Sequence, residues 1–337
     1  MPRGDEGKME GKVTIIFGRR TALASTFAVA LSRAAHADDW PSRPVKWIVP
    51  YPAGGGSDTF ARPIAARLAE RFGRPMPIDN RSGAGGTIGT VVAARSPADG
   101  YTLLLADTGL VYAPVVYPSA DYDFVRDFAP ISALARAPYV LAINAKRLDV
   151  PTLEAFLEAA RKAPGGIDMG STGLGSITHL AITLLEKRAG VRLNHVPYRG
   201  GAPMLQDLLS GQIGAAFVLA STVAGHIEAG RLRGLAIANR RREPMLPDVP
   251  TTAEAGLPDF RVTIWFGVFA PRQTPAAILD RLHEGVQAAL VDPEIQRLWR
   301  EQAARVEPEP RAAFVDFVQR ESRRWTEMAR AANVKLE

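Results

Sequence analysis

The chain has 337 residues, of which 47% are hydrophobic, and its formal net charge is +6. It contains no cysteine, which excludes disulfides, a thiol nucleophile and a cysteine-ligated metal. No run of lysine and arginine interleaved with aromatic residues accompanies the positive charge, so we expect no nucleic-acid partner.

The first 37 residues have the pattern of a cleavable export signal. Arg19 and Arg20 form a basic flank, residues 21–31 are a short, mostly apolar run, and residues 35–37 read Ala-His-Ala, a small-x-small cleavage site. The run is too short to span a bilayer as a helix. We predict cleavage after Ala37 and leave Sec and twin-arginine export open. The remaining 300 residues carry a net charge of about +3, because the signal itself carries +3.

The chain after residue 37 alternates short apolar runs with helical stretches, which is the pattern of α/β proteins with parallel strands. The predicted strands cover residues 45–49, 75–79, 101–106, 131–135, 140–143, 167–171, 193–196, 213–218, 232–238 and 263–270. Between and after them we predict helices at residues 59–72, 87–95, 152–163, 177–185, 204–209, 223–229, 276–290, 293–302 and 311–332.

A length of about 300 residues suggests two domains. We place crossovers near Pro138 and Arg261. One lobe then consists of residues 38–138 plus 262–337, and the second lobe consists of residues 139–261. Two crossing segments of this kind predict a hinge between the lobes.

The first lobe contains a glycine-rich loop between a strand and a helix. Loop 1, defined as residues 51–56, leads into Ser57, Asp58 and a segment with apolar residues four apart at positions 60, 64, 68 and 72. Pro63 is compatible with this helix only if the helix begins near Thr59, which places the proline in the first turn. Backbone N–H groups at a helix start bind anions, and glycines allow the anion to approach closely.

The second lobe repeats this design. Loop 2, defined as residues 172–176, follows the predicted strand at 167–171 and precedes a helix. The hydroxyl groups near the two loops either bind a ligand or cap the helices. Because ligands of open α/β sheets bind at the carboxyl ends of strands, two such loops predict an anion held in a cleft between the lobes.

Other kinds of site fit the sequence less well. A dinucleotide-binding loop requires a third glycine where this chain has Thr59, and no Gly-Lys-Ser/Thr of a P-loop follows loop 1. A hydrolase requires a nucleophile, a base and an orienting acid, but no G-x-S-x-G is present and no acid stands at a telling spacing. The available groups for such chemistry are Ser57, Ser171, Ser176 and His179. The four histidines after residue 37 lack the spacing of a metal site.

Several longer motifs resemble one family over essentially the whole chain after residue 37. They include WPSRPVKWIVPYPAGGGSD at 40–58, DNRSGAGGTIG at 79–89, GSTGLGSITHL at 170–180 and HVPYRGGAPMLQDLLSGQI at 195–213. The chain thereby resembles the periplasmic solute-binding proteins of tripartite tricarboxylate transporters, the Bug (Bordetella uptake gene) family.

The resemblance implies a two-lobed α/β fold of the type II periplasmic-binding-protein kind, with the ligand cleft between the lobes. It implies a monomeric periplasmic receptor that binds a small organic carboxylate and delivers it to inner-membrane permease subunits, without cofactor, metal or catalysis. A ligand sensor that docks on a membrane histidine kinase, and an α/β hydrolase-like enzyme, remain the alternatives.

The family pattern also implies which residues touch the ligand. The residues at the matching positions are Tyr51, Pro52, Gly55, Gly56, Ser57, Asp58, Thr108, Ser171, Thr172, Gly175, Ser176 and His179. One departure concerns Phe217, which is followed here by Val218-Leu219-Ala220 instead of an acidic residue and small residues. This departure argues against an amino-acid ligand and for a ligand with a less polar tail.

Overall fold

The structure is a computed structural model that describes Met1 and residues 40–54, 56–163, 165–305 and 308–333. The predicted signal, apart from Met1, and Gly55 of loop 1 lie outside the described residues.

The first part of the chain forms a sheet with helices inserted between its strands. Its elements are β1 (Lys46–Val49), α1 (Gly56–Phe72), β2 (Ile78–Asn80), α2 (Thr87–Ala94), β3 (Thr102–Asp107), α3 (Thr108–Val116), α4 (Phe124–Asp127) and β4 (Phe128–Ile143). Strand β1 pairs in parallel with β2 and with β3.

The remainder of the chain continues the alternation and then ends in helices. Its elements are α5 (Leu153–Lys162), β5 (Ile167–Ser171), α6 (Ile177–Ala189), β6 (Leu193–Pro197), α7 (Gly201–Ser210), β7 (Ala215–Leu219), α8 (Ala220–Glu228), β8 (Arg233–Ile237), β9 (Thr263–Pro271), α9 (Ala276–Leu290), α10 (Pro293–Glu301) and α11 (Arg311–Ala332). The predicted strand at 167–171 and the predicted helices at 276–290 and 311–332 are confirmed to the residue.

The described strands form a sheet in the order β2-β1-β3-β9-β4-β7-β5-β6, with β8 paired to β4. The prediction of parallel strands is correct for β1–β3 and for β5–β7, but it is wrong at the centre of the sheet. There β9 runs antiparallel to both β3 and β4, and β4 runs antiparallel to β7 and β8. The sheet is therefore mixed. Its antiparallel pairs all involve β4 or β9, the two strands in which the chain passes between the two halves.

Strand β4 replaces two predicted strands. The apolar runs at 131–135 and 140–143 belong to one strand of 16 residues, and Pro138, which appeared to separate them, lies within it. Residues 128–138 pair with β9, whereas residues 139–143 pair with β7 and β8. A proline cannot donate a ladder hydrogen bond. Pro138 is tolerated because it lies where the strand changes partners.

The second crossing segment lies beside the first. Tyr139 N donates to Val262 O at 3.1 Å, and Val262 N donates to Ala238 O at 3.0 Å. Because β4 is parallel to β3 and antiparallel to β7, the carboxyl ends of β1, β3, β5 and β7 all point toward this crossover. Loop 1 and loop 2 both follow strands that end there. The exact lobe boundaries at 138/139 and 261/262 stay a prediction.

Helices α1 and α3, which lie next to the predicted site, differ from the sequence prediction. Helix α1 begins at Gly56, so Pro63 lies beyond its first turn, and the predicted start near Thr59 is wrong. Pro63 lacks the N–H that would donate a backbone hydrogen bond within the helix. The free energy lost there is compensated by packing of the apolar face of α1, where Phe60 lies on Phe266 at 4.7 Å between ring centroids. Helix α3 was missed because its residues are apolar and buried on most sides, which leaves no amphipathic period to detect.

Candidate functional site

Loop 1 is shaped by the carboxylate of Asp58, in the first turn of α1. Asp58 is 3% exposed. Its Oδ2 accepts from Gly54 N at 2.9 Å and from Arg62 Nε at 2.6 Å, and its Oδ1 accepts from Asn80 Nδ2 at 3.1 Å. Burial raises the pKa of this carboxyl, but the three donors outweigh burial and the net pKa is below its usual value. Both oxygens are therefore engaged by donors of the protein itself.

The other predicted residues of loop 1 differ in exposure. Ser57 is buried at 7% exposure, Pro52 is exposed, and Gly56 is the first residue of α1. The carbonyl of Tyr51 accepts from Asn80 Nδ2 at 3.1 Å, so the same amide holds both the start of the loop and Asp58. Asn80 thus connects loop 1 to β2.

Asp107, at the carboxyl end of β3, supports loop 1 from the neighbouring strand and was not predicted. Its Oδ1 accepts from Gly109 N at 2.8 Å and caps α3, and its carboxylate accepts a hydrogen bond from the Tyr51 hydroxyl. Burial raises the pKa of Asp107 to about 6, against the lowering effect of these hydrogen bonds. A capping Asp before a helix of mostly apolar residues was the available sequence signal.

Thr108 lies next to Asp107 and is fully buried. Its Oγ1 accepts from Trp265 N of β9 at 3.0 Å. The structure therefore places Thr108 at the contact between α3 and the central strand, at the level of the crossover.

Loop 2 is held by the first turn of α6. Ser176 is the N-cap residue, and its Oγ accepts from His179 N at 3.2 Å. Thr178 Oγ1 accepts from Thr172 N at 2.9 Å and lies 3.0 Å from Thr172 Oγ1. Gly175 has a φ of +70° and donates its N–H to His179 Nδ1 at 3.1 Å. These contacts hold loop 2 against the start of α6.

A pair of histidines lies against loop 2. His179 of α6 and His195 of β6 stack with 3.9 Å between ring centroids and 6° between planes. Ser171, at the end of β5 and fully buried, has its Oγ 2.6 Å from His195 Nε2. Burial lowers the pKa of His179, and burial together with the neighbouring His179 lowers the pKa of His195 to about 4. His195 stands in the HVPYRGG motif, but its place beside loop 2 depends on the pairing of β5 with β6.

The chemistry available at the two loops is that of hydrogen-bond donors. Helices α1 and α6, of 17 and 13 residues, both begin at the carboxyl edge of the sheet, where N–H groups and the helix dipole favour an anion. The acid of loop 1 is paired with Arg62, and both imidazoles near loop 2 are neutral around pH 7. Within the part of the chain that the structure describes, no three His, Asp or Glu residues are arranged to hold a metal ion, and no helix has the length and apolarity to cross a bilayer.

The profile of a family described as "Tripartite tricarboxylate transporter family receptor" matches residues 60–334. Protein BugT of Bordetella pertussis is 36% identical over 326 residues, which cover 94% of this chain and 98% of BugT. The solved structure of R. palustris Rpa4515 with adipate is 37% identical, covers 88% of this chain and 100% of that one, and has a TM-score of 0.76. MatC (Rpa3494) from Rhodopseudomonas palustris with bound malate is 32% identical, covers 86% and 100%, and has a TM-score of 0.73.

These likenesses confirm the resemblance drawn from the sequence motifs. Together with the mixed α/β sheet, they confirm the predicted two-lobed fold of solute-binding proteins.

Proposed function

The chain belongs to the tripartite tricarboxylate transporter receptor family, and from this premise we propose that it is a periplasmic receptor for a small organic carboxylate. The ligand binds between loop 1 and loop 2, and the receptor, as a monomer, delivers it to the inner-membrane permease subunits of a transporter of this kind. The predicted site residues, from Tyr51 to His179, are proposed as the residues that surround the ligand.

The observation that carries the proposal is the pair of helix starts at one edge of the sheet. Loop 1 follows β1 and loop 2 follows β5, and the carboxyl ends of both strands point toward the crossover in β4. We propose that the N–H groups of the first turns of α1 and α6, with the hydroxyls of Ser57 and Ser176, bind the carboxylate without a lysine or arginine.

The ligand class is narrowed by the strand beside loop 2. Strand β7 ends in Phe217-Val218-Leu219, of which Leu219 is partly exposed and stands at the same carboxyl edge as Ser171. An apolar edge suits a ligand with a methylene chain better than one with an amino group. Two related proteins of known structure are Rpa4515 with adipate and MatC with bound malate. We therefore propose a dicarboxylate.

We further propose that the protein catalyses no reaction. Ser171 and His195 form a serine–histidine contact, but the Ser171 hydroxyl is already held between His195 Nε2 and the backbone of Gly173. The lowered pKa of His195 also makes it a poor general base near pH 7. Ester turnover that disappears when Ser171 is replaced by alanine would contradict this part of the proposal.

A thermal-shift screen of organic acids tests the receptor proposal. A ligand at 100 times its dissociation constant stabilises the folded protein by about 2.7 kcal/mol, which raises the melting temperature by several degrees for a chain of this size. Adipate and malate are the first ligands to test, with nucleotides as the comparison. If nucleotides raise the melting temperature and no carboxylate does, the proposal is wrong.

The position of the site is tested by two serine variants. Ser57→Ala removes a hydroxyl at the start of α1 and is expected to weaken carboxylate binding about three- to tenfold, the value of one lost hydrogen bond. Ser210→Ala, at an exposed position at the end of α7, is the matched control and leaves the affinity unchanged. Calorimetric titration measures both. Equal affinities for the two variants would remove Ser57 from the site.

A further inference from the structure

His195 holds loop 2 in place although it belongs to another strand. Its Nε2 lies 2.6 Å from Ser171 Oγ, and that same oxygen accepts from Gly173 N at 3.2 Å and contacts Gly173 O at 3.2 Å. A hydroxyl has one hydrogen and two acceptor sites. If Ser171 donates to Gly173 O, its remaining partners must be donors, so His195 carries its proton on Nε2.

His179 also forms a hydrogen bond with loop 2, but as the acceptor. Its Nδ1 accepts the N–H of Gly175 at 3.1 Å, which requires a lone pair on Nδ1 and places the ring proton on Nε2. Protonation of His179 would put an N–H of the ring against the N–H of Gly175. The hydrogen bond that fixes Gly175 at its φ of +70° would then be lost.

The stack couples the two rings. With 3.9 Å between centroids and nearly parallel planes, a charge on one ring lies directly against the other, so the pair resists a second proton. The bond from His195 to Ser171 and the bond from Gly175 to His179 are therefore linked through one contact.

We propose that His195 is a positioning residue for the carboxylate site, and that proton uptake by the His179–His195 pair loosens loop 2 and releases the ligand. The proposal rests on the proposed function and adds to it a residue and a regulation of the same site. The direction follows from the hydrogen bonds: a neutral His179 accepts from Gly175 and keeps loop 2 in its described shape, whereas a proton on His179 Nδ1 removes that acceptor.

The charged groups near the histidine pair lie on several packed elements. A Cβ at Gly170 would meet Met204 and Ile213, so residues 168 and 170 face α7, while Ser171 and His195 face α6. The charged groups near the pair on the elements packed around it are Asp168 on β5, Asp207 on α7, Glu186, Lys187 and Arg188 on α6, and Arg324 and Glu327 on α11.

The acids among these groups have partners of their own. Asp168 pairs with Arg147 at 2.9 Å, and Asp207 accepts from Tyr198 at 2.7 Å, both on the α7 side of the sheet. Glu186 accepts from Leu193 N at 2.9 Å. Burial and His179 are accordingly the causes that lower the pKa of His195 to about 4.

The lowered pKa values of the two histidines set the pH range in which the ligand should be released. A free histidine titrates near 6.5, and both rings titrate lower here, so the neutral pair persists at neutral pH and is lost as the pH falls toward about 4. Carboxylate affinity is expected to fall over this range by more than the titration of the ligand itself accounts for.

Two variants of His195 and one control separate positioning from simple packing. His195→Ala removes the donor to Ser171 and is expected to weaken binding about three- to tenfold near neutral pH. His195→Gln keeps an N–H donor and leaves His179 without a second imidazole beside it, so it restores the affinity near neutral pH and moves the acid loss of affinity to higher pH. His283→Gln removes a histidine that contacts Ile131 O, far from loop 2 in the sequence, and keeps the wild-type profile.

The measurements are calorimetric titrations of adipate between about pH 4 and pH 7.5, with circular dichroism to establish that each variant is folded. If His195→Gln and wild type give the same pH profile, the proposal is overturned. If His195→Gln binds as poorly as His195→Ala at neutral pH, the donor role of Nε2 is wrong.

Nuclear magnetic resonance of the ligand-free protein gives a test that does not depend on the proposed function. We expect both rings to carry the proton on Nε2, and we expect the amide signals of Gly173 and Gly175 to shift with the histidine titration. If the amide chemical shifts of Gly173 and Gly175 stay constant through the histidine titration, the positioning role is wrong. A wild-type protein that shows this titration but binds no carboxylate would instead refute only the receptor function.

Discussion

Replacing Asp58 by asparagine tests whether this residue builds loop 1 or touches the ligand. All three partners of its carboxylate, Gly54 N, Arg62 Nε and Asn80 Nδ2, are hydrogen-bond donors. An asparagine keeps one oxygen but turns an NH₂ group toward at least one of these donors. Hydrogen bonds to a charged group contribute about 1.5–3 kcal/mol each, and the bond from Arg62 counts for less because that side chain is half exposed.

Asp58→Asn is therefore expected to lower the free energy of unfolding by about 2–4 kcal/mol at neutral pH. The lowered pKa of Asp58 means that its contribution is present above the usual value of 3.8 and is lost as the pH falls through the lower, folded-state pKa. The difference between wild type and variant should shrink below about pH 4.

Urea unfolding followed by tryptophan fluorescence at neutral and acidic pH measures this difference. Asp316→Asn, at an exposed position of α11, is the matched control and is expected to change stability by less than about 0.5 kcal/mol. If Asp58→Asn is as stable as the control but binds carboxylates more weakly, the expected loss of stability is wrong, and Asp58 acts on the ligand directly and not by holding loop 1.

Three further predictions concern the centre of the molecule. Glu243 is 3% exposed and lies 3.0 Å from the half-exposed Arg305. A double-mutant cycle of Glu243→Gln and Arg305→Ala should therefore give a coupling energy of about 1 kcal/mol. A value near zero would contradict the ion pair. Gly267→Ala puts a Cβ 2.5 Å from Phe314 Cζ and should cost about 1–3 kcal/mol in thermal unfolding; an unchanged melting temperature would show that the core yields there. The lowered pKa of His195 predicts that the unfolding free energy falls between about pH 6.5 and pH 4, a slope that His195→Gln should reduce.

The elements with local signals could be predicted from the sequence. The unit of β5, loop 2 and α6 combines a short apolar strand, glycines and a serine cap, and each of these acts within a few residues. The same holds for β1, loop 1 and α1. These units also contain most of the predicted ligand residues, so candidate site positions could be named from the sequence without the three-dimensional structure.

The parts that failed depend on contacts between distant residues. The reversed direction of β9 has no local signal, because apolar strands look alike in either direction. The place of His195 beside loop 2 depends on the pairing of Met169 with His195, which joins two strands through α6. The partners of Asp58 include Asn80, 22 residues away, so the sequence showed an acid at a helix start but not that both of its oxygens are engaged.

The central position of β9 has a consequence for the order of folding. Strand β9 lies between β3 and β4, yet it is synthesised more than 100 residues after both of them. Until residue 271 is available, β3 and β4 each present an unpaired edge, which invites pairing with other chains. Sheets that close through such distant partners fold slowly.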